Sequence, residues 1–196
     1  MTNFKLFNKK KEIINKYDLS ADIYDKRYRA IQEEKYHIVL DNCILKEKRV
    51  LDLGCGTGLL IEYILKSKDY HHILKSKYIA VDISLKMMIK FKNKLLKLGK
   101  KPNVLFVLSD MENLPFRKNS FNLIISLTSF QNLPNILNGV RESLRVSTNE
   151  CDFKFSILRK KLELDKVINL LKPYVKDFKV VNKENIEDVI ITGIVI

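Results

Sequence analysis

Cysteine is scarce in this 196-residue chain: three residues, Cys43, Cys55 and Cys151, odd in number and far apart. Such a set suits neither a disulfide framework nor a zinc site, and implies free, mostly buried thiols in a reducing compartment. Histidine is equally sparse. The adjacent His71 and His72 have no third ligand nearby, so they read as part of a solvated loop, and no metal is expected. Long apolar runs are lacking: no stretch approaches the roughly 18 apolar residues of a membrane span. Met1 to Lys16 mixes charged and apolar residues and lacks the hydrophobic centre of a signal peptide, so a cytoplasmic protein is expected. The length predicts one domain, and 46% hydrophobic residues are ample for its core.

Glycine is rare too, which makes its clustering informative. Half of the six glycines, Gly54, Gly56 and Gly58, fall within five residues of Val50-Leu51-Asp52-Leu53-Gly54-Cys55-Gly56-Thr57-Gly58-Leu59-Leu60. An apolar run enters and an apolar-periodic run leaves, which reads as a buried strand, a tight turn and a helix. Glycine leaves room for a ligand against the main chain, and the opening helix offers free N–H groups beside it. The spacing excludes two familiar ligand loops. A dinucleotide fingerprint would need its third glycine at position 59, which is Leu59, and a phosphate loop would need a Gly-Lys-Ser/Thr ending that is absent. The pattern is D-x-G-x-G-x-G, opening on Asp52.

Acidic residues fall short of basic ones, 23 against 36, leaving a net charge of +13. The excess is local: residues 64–101 hold eleven lysines against Asp69 and Asp82. A localised basic face suggests an anionic partner such as RNA. The competing explanation is a lysine-rich composition that fills solvated helix faces. Within this segment Ile64-Leu65-Lys66-Ser67-Lys68 recurs as Ile73-Leu74-Lys75-Ser76-Lys77, a duplication that lengthens one crossover. Lys86, Lys90, Lys94 and Lys97 form one helical stripe, with Met88, Phe91, Leu95 and Leu98 opposite. That stripe either faces solvent or follows a phosphate backbone.

Helices are expected over 9–16, 21–42, 59–65, 85–98, 134–146 and 162–171, with Ser84 capping and Gly99 ending the fourth. Strands are expected at Val50–Leu53, Tyr78–Val81, Val104–Leu108, Phe121–Leu127, Asp152–Leu158, Phe178–Val181 and Asp188–Ile196. This alternation predicts an α/β fold: a doubly wound, mostly parallel seven-stranded sheet closed by an antiparallel hairpin.

The block from Asp52 to Gly58 resembles motif I of the class I S-adenosylmethionine (SAM) dependent methyltransferases. Three further blocks follow in that family's order. Asp82 ends the second strand, Asp110-Met111 follows the third, and Leu114-Pro115-Phe116 with Ser120-Phe121-Asn122-Leu123-Ile124-Ile125-Ser126 resembles the type 11 enzymes, apart from Asn122 where Asp is usual. The resemblance implies SAM as cofactor, bound by Asp52, Gly54, Cys55, Gly56, Gly58, Asp82, Ile83, Asp110, Met111 and Ser126. Asp82 would accept from the ribose hydroxyls. Asp110 would accept from the adenine amino group, and a backbone amide would answer the ring nitrogen. Tyr24 and Tyr28 resemble the N-terminal segment that covers the cofactor in type 11 enzymes. They are the candidate catalytic residues, to orient substrate or to pack. Residues 1–45 are then a helical lid and 46–196 the SAM-binding domain of a single globular unit.

The departures bear on substrate. Ser126-Leu127-Thr128-Ser129-Phe130-Gln131-Asn132 stands where planar-amine methylases carry an Asn-Pro-Pro-Tyr type motif, and Gln131-Asn132 replaces a His pair, so no base is offered there. Leu144 to Glu150 replaces a Gly-Gly turn. Three functions compete: methylation of RNA or a ribonucleoprotein, slightly favoured by the basic segment; methylation of a small molecule, as in quinone pathways; and a SAM-binding subunit or regulator without turnover. With no separate recognition domain, specificity falls to the N-terminal segment, the loop after the fourth strand, or an activating partner protein.

Overall fold

A computed structural model describes residues 3–41, 43, 48–67, 76–99 and 102–196. Its elements run α1 (Asn3–Ser20), α2 (Tyr24–Leu40), β1 (Arg49–Leu53), α3 (Leu59–Lys66), β2 (Lys77–Asp82), α4 (Leu85–Leu98), β3 (Val104–Leu108), β4 (Phe121–Leu127), α5 (Ile136–Val146), β5 (Ser147–Leu158), α6 (Leu164–Leu171), β6 (Val175–Val181) and β7 (Asp188–Val195). The strands form one seven-stranded sheet in the order β3-β2-β1-β4-β5-β7-β6. β1 to β5 are parallel, while β7 runs antiparallel to both β5 and β6. The expected doubly wound sheet with its closing hairpin is thus present. Strand order reverses between β1 and β4, and the crevice outside the strand ends at such a point is where open α/β sheets bind ligands.

Period-2 alternation divides the core. Leu51, Leu53, Ile79, Val81 and Ile124 pack with Val140 of α5 and with Val167 and Leu171 of α6. Val50, Tyr78, Ala80, Leu123 and Ile125 pack with Val39 of α2, Ile61 of α3 and Phe91 of α4. Asp52 shares the parity of Val50, so its carboxyl is carried into the second layer, against α2 and Tyr78.

Several boundaries differ from expectation. α1 and α2 are longer and shorter, respectively, than the expected 9–16 and 21–42. α5 begins at Ile136 rather than at the expected Pro134, because Asn135 accepts from the Leu137 amide at 3.0 Å and so caps the helix. The Leu144–Glu150 segment forms no loop: α5 passes directly into β5 at Ser147. Ser147 Oγ donates to the Ser143 carbonyl and Thr148 Oγ1 to that of Phe121, and the register with β4 shifts between Phe121 and Leu123. Ser84 caps α4 through the Met87 amide, and Gly99 ends it in the left-handed conformation, both as expected. Ile73, Leu74 and Lys75 of the repeated Ile73–Lys77 copy and the His71-His72 pair lie outside the described residues, as do Lys68, Lys100 and Lys101. Among the described residues no helix is long and apolar enough to cross a membrane, and no three metal-ligating side chains converge.

Candidate active site

The turn after β1 is pinned to β2 by the Gly54 and Cys55 amides, which donate to the Val81 carbonyl at 2.8 and 3.0 Å. Its glycines differ in role. A Cβ on Gly54 would meet Ser129 Oγ at 2.3 Å, and one on Gly58 would meet the Phe91 ring at 2.2 Å. Gly58 therefore allows the turn to pack closely on Phe91 of α4. A Cβ on Gly56 would meet nothing within 4 Å, so this is the glycine whose outer face is open.

Asp82 closes the same turn. Its Oδ2 accepts from the Gly56 amide and its Oδ1 from the Ser84 amide, each at 2.8 Å. Burial raises the Asp82 carboxyl above the usual carboxylate range, while the amides of Ser84, Gly56 and Ile83 pull it back.

Around this turn lies a cleft enclosing about 640 Å³ of space, part of it open to solvent. Gly54, Gly56, Asp82, Ile83, Asp110, Met111 and Tyr24 line it, so seven of the residues singled out in the sequence converge here. α1 lies across the opening and contributes Lys10, Ile13 and Tyr17. Lys10 Nζ pairs with Asp110 and lies 2.7 Å from Glu112 Oε2. Ser84 Oγ donates to Asp18 at 2.5 Å, and Asn132 Nδ2 donates to the Tyr17 hydroxyl at 2.8 Å. The far wall comes from the turn after β4, through Thr128, Ser129, Asn132, Leu133 and Pro134.

A smaller, more polar pocket of about 350 Å³ adjoins the cleft, sharing Tyr24, Gly54 and Gly56. Asp52, Cys55, Gln32 and Tyr36 belong to it. Asp52 accepts from the Tyr78 hydroxyl at 2.6 Å. Burial pushes its carboxyl up to about 7, against the Tyr78 hydrogen bond and with help from the Asp82 charge. Gln32 Oε1 is buried without a hydrogen-bond partner. Burial also raises the Cys55 thiol well above its ordinary value, so it is no ready nucleophile.

Two more of the singled-out residues lie elsewhere, besides Gly58. Ser126 is fully buried, and its Oγ donates to the Leu53 carbonyl, tying β4 to β1. Tyr28 does not line the cleft; its ring meets that of Tyr24 at a tilt of 45°, centroids 4.7 Å apart, with the Arg27 guanidinium 5.2 Å from its ring centroid. The lysine stripe of α4 is partly consumed. Lys90 pairs with Asp22, and Lys94 lies 2.6 Å from Asp25 and 3.1 Å from Glu62. Burial opposes it, yet Lys66, Arg29 and Lys94 together hold Glu62 down to about 2.

Sequence reading missed Lys10, Ile13 and Tyr17, although their i, i+3, i+7 spacing marks one helix face. It also missed a buried cluster beneath the far wall. Lys35 Nζ, 1% exposed, lies 3.1 Å from Asp188 Oδ2 and donates to Thr128 Oγ1 at 2.5 Å. Thr128 Oγ1 and Ser156 Oγ each donate to the same Asp188 oxygen at 2.7 Å. Because β7 runs antiparallel, its first residue Asp188 sits beside Leu158, the last of β5, at the strand ends that carry the cleft. Burial lowers the Lys35 ammonium, with Asp188 opposing. Thr128 itself adopts φ 54°, a left-handed conformation that no sequence signal announces.

Residues 50–150 match the family model described as a methyltransferase domain, and the chain belongs to that family. A ubiquinone/menaquinone biosynthesis C-methyltransferase of Rickettsia prowazekii is 26% identical over 135 residues, 68% of this chain and 52% of that protein. A malonyl-[acyl-carrier protein] O-methyltransferase of Ilyobacter polytropus is 33% identical over 125 residues, 62% of this chain and 42% of the other. The chain spans about half the length of these curated relatives. The fold is that of a SAM-dependent methyltransferase from Aquifex aeolicus, with a TM-score of 0.71 at 22% identity over 91% of this chain and 98% of that one. A Haloferax volcanii methyltransferase solved with the Trm112 activator has a TM-score of 0.67 at 13% identity, covering 91% and 97%.

Proposed function

We propose that the chain binds SAM across the two joined pockets and transfers its methyl group to a small-molecule acceptor. The observation that carries this reading is the row of carboxylates at adjacent strand ends: Asp52 in β1, Asp82 ending β2 and Asp110 just beyond β3, grouped around one glycine turn. Asp82, already oriented by two amides, would accept from the ribose hydroxyls. Asp110 and the Met111 amide would serve the adenine edge once Lys10 yields, with Ile83 and Met111 against its faces. In the smaller pocket, Asp52 and the unpartnered Gln32 Oε1 are acceptors suited to an ammonium group; Gly56 leaves the backbone open to close approach. Bound SAM would supply an electrophilic methyl on its sulfonium, and the protein's part is to align a nucleophile and exclude water. Residues 1–45 are the proposed lid, with α1 covering the cleft and Tyr24 packed at the junction of the two pockets.

A small acceptor is favoured over RNA by two considerations. The named relatives act in quinone biosynthesis and on malonyl-[acyl-carrier protein], and Lys90 and Lys94 are engaged by carboxylates rather than free for a phosphate backbone. Calorimetry with SAM, S-adenosylhomocysteine and NAD tests the cofactor. Asp82→Ala is expected to cost about 1.5–3 kcal/mol of SAM binding, whereas tighter binding of NAD than of SAM would sink the reading. Tritium transfer from labelled SAM into small-molecule, RNA and protein fractions then separates the acceptor classes, and no transfer at all would favour a non-catalytic SAM-binding subunit. An activating protein, of the kind in the Haloferax structure, is a second reading that methyl transfer by the purified chain alone would remove.

A further inference from the structure

The cleft continues beyond the methyl-donor side. A hollow enclosing about 1070 Å³, part of it open to solvent, lies between α1, the turn after β4 and the segment after β5. It shares Ile13, Asn132, Leu133 and Pro134 with the cleft. Its walls carry Lys9, Lys16, Lys161 and Lys166 against a single carboxylate, Glu163, and that carboxylate is paired with Lys166. Lys9 Nζ donates to the Leu133 carbonyl at 2.7 Å, and Lys16 lies 5.5 Å from the Tyr17 ring centroid. Among the described residues, neither these two nor Lys161 is held by a carboxylate. Two elements, α1 and the segment after β5, thus line one concavity with uncompensated positive charge, and such a cavity raises the local concentration of anions.

Gln131 adds a second, independent observation. Its Nε2 donates to the Thr128 carbonyl at 2.5 Å, which fixes the amide's orientation, and its Oε1 is left buried with no partner. Gln131 lines the hollow. A buried acceptor oxygen without a donor is costly, and a ligand O–H or N–H relieves that cost.

We infer that this hollow is the acceptor site and that the acceptor is a small anion bearing a hydroxyl or amine. Lys9, Lys16 and Lys161 hold its acidic group, and Gln131 Oε1 accepts from its O–H or N–H. The inference rests on the proposed methyltransferase reading, since that reading makes the neighbouring cleft the donor site. A carboxylate and a phosphate satisfy the lysines alike. The site's concave shape and the placement of its lysines on two separate elements suit a compact ligand better than an extended polymer.

The test uses the full chain saturated with S-adenosylhomocysteine and followed by amide NMR. Malonate, hydroxymalonate, pyrophosphate and the neutral malonamide are titrated separately at low salt. At least one dianion is expected to shift the signals of Gln131 and of 132–137 saturably, with malonamide giving no such shift. Hydroxymalonate is expected to bind several-fold more tightly than malonate, and Gln131→Met to abolish that preference. The double variant Lys16→Glu/Lys161→Glu, altered at two exposed positions, is expected to lose about tenfold or more in anion affinity while keeping S-adenosylhomocysteine affinity. The relative strength of pyrophosphate and the carboxylates identifies the acidic group. Equal shifts in the charge-reversed variant, or none from any dianion in the parent, would overturn the inference. Failure of S-adenosylhomocysteine to bind the parent would instead strike the cofactor reading, so the two failures are distinct.

Discussion

Replacing Asp52 by Asn removes a carboxyl that the fold holds where charge is unwelcome. The residue is 3% exposed, sits among Tyr36, Tyr78 and Cys55, and is pushed up to about 7 by burial. In the unfolded chain an Asp titrates at about 3.9. Because the folded value is the higher one, the stabilising contribution of the protonated carboxyl is fully present below about pH 4. It is lost as pH rises through about 7. Above that range the native state carries a buried carboxylate at a cost of roughly 4 kcal/mol at most. Asn keeps an oxygen for the Tyr78 hydroxyl, so roughly half of this, about 2 kcal/mol, is expected as a gain near pH 8. For a domain of this size that corresponds to a Tm rise of roughly 4–8 °C, with little gain near pH 5. Ligand binding should move the opposite way. A cationic ammonium placed beside Asp52 favours its carboxylate, so the parent should release close to one proton on binding S-adenosylhomocysteine near pH 6, and Asp52→Asn markedly less. Calorimetry in buffers of different ionisation enthalpy reads that number, and scanning calorimetry reads the Tm. A Tm gain equal at both pH values, or unchanged proton release, would refute the reasoning. Asp82, also raised by burial, is present in both proteins and cancels in the comparison.

Other outcomes follow from the same geometry. Gly56→Val should leave a folded protein, destabilised by about 1–2 kcal/mol for a side chain at φ +53°, yet abolish SAM binding; Gly58→Ala should instead disrupt folding by driving into Phe91, and circular dichroism separates the two. Lys35→Met strands Asp188 in the interior and should cost about 3–5 kcal/mol in urea unfolding, part of it recovered by adding Asp188→Leu. Charge reversal at the exposed Lys86 and Lys97 should leave RNA retention unchanged across a salt series; a steep loss would restore the nucleic-acid reading.

Much of the fold was legible because its signals are local. Ser84 and Gly99 bracket α4, period-2 and continuous apolar runs mark the strands, and the glycine turn with its strand-end acids locates the cleft. What escaped depends on tertiary partners. Nothing in Gly58 itself says that Phe91 will crowd it, and Ser126 looks like any strand-end hydroxyl until the Leu53 carbonyl arrives beside it. Lys35 and Asp188 are 153 positions apart, and only the antiparallel course of β7 brings them together. The lysine stripe was correctly placed on one face of α4, but sequence could not reveal that Asp22, Asp25 and Glu62 would meet it.

That meeting has a kinetic consequence. The C-terminal half of α2 is held by the apolar core through Tyr36, Val39 and Leu40, but α1 and the start of α2 also carry a set of ion pairs to the rest of the domain: Lys10 to Asp110 and Glu112, Asp22 to Lys90, Asp25 to Lys94 and Arg29 to Glu62. Such partly exposed pairs are screened within about 8–10 Å at ordinary ionic strength, whereas the apolar layers of the sheet are not. Salt therefore acts selectively on the fastening. Raising it should shorten the residence time of whatever lies under α1 well before it affects global unfolding, so that ionic strength sets the pace of exchange at the cleft.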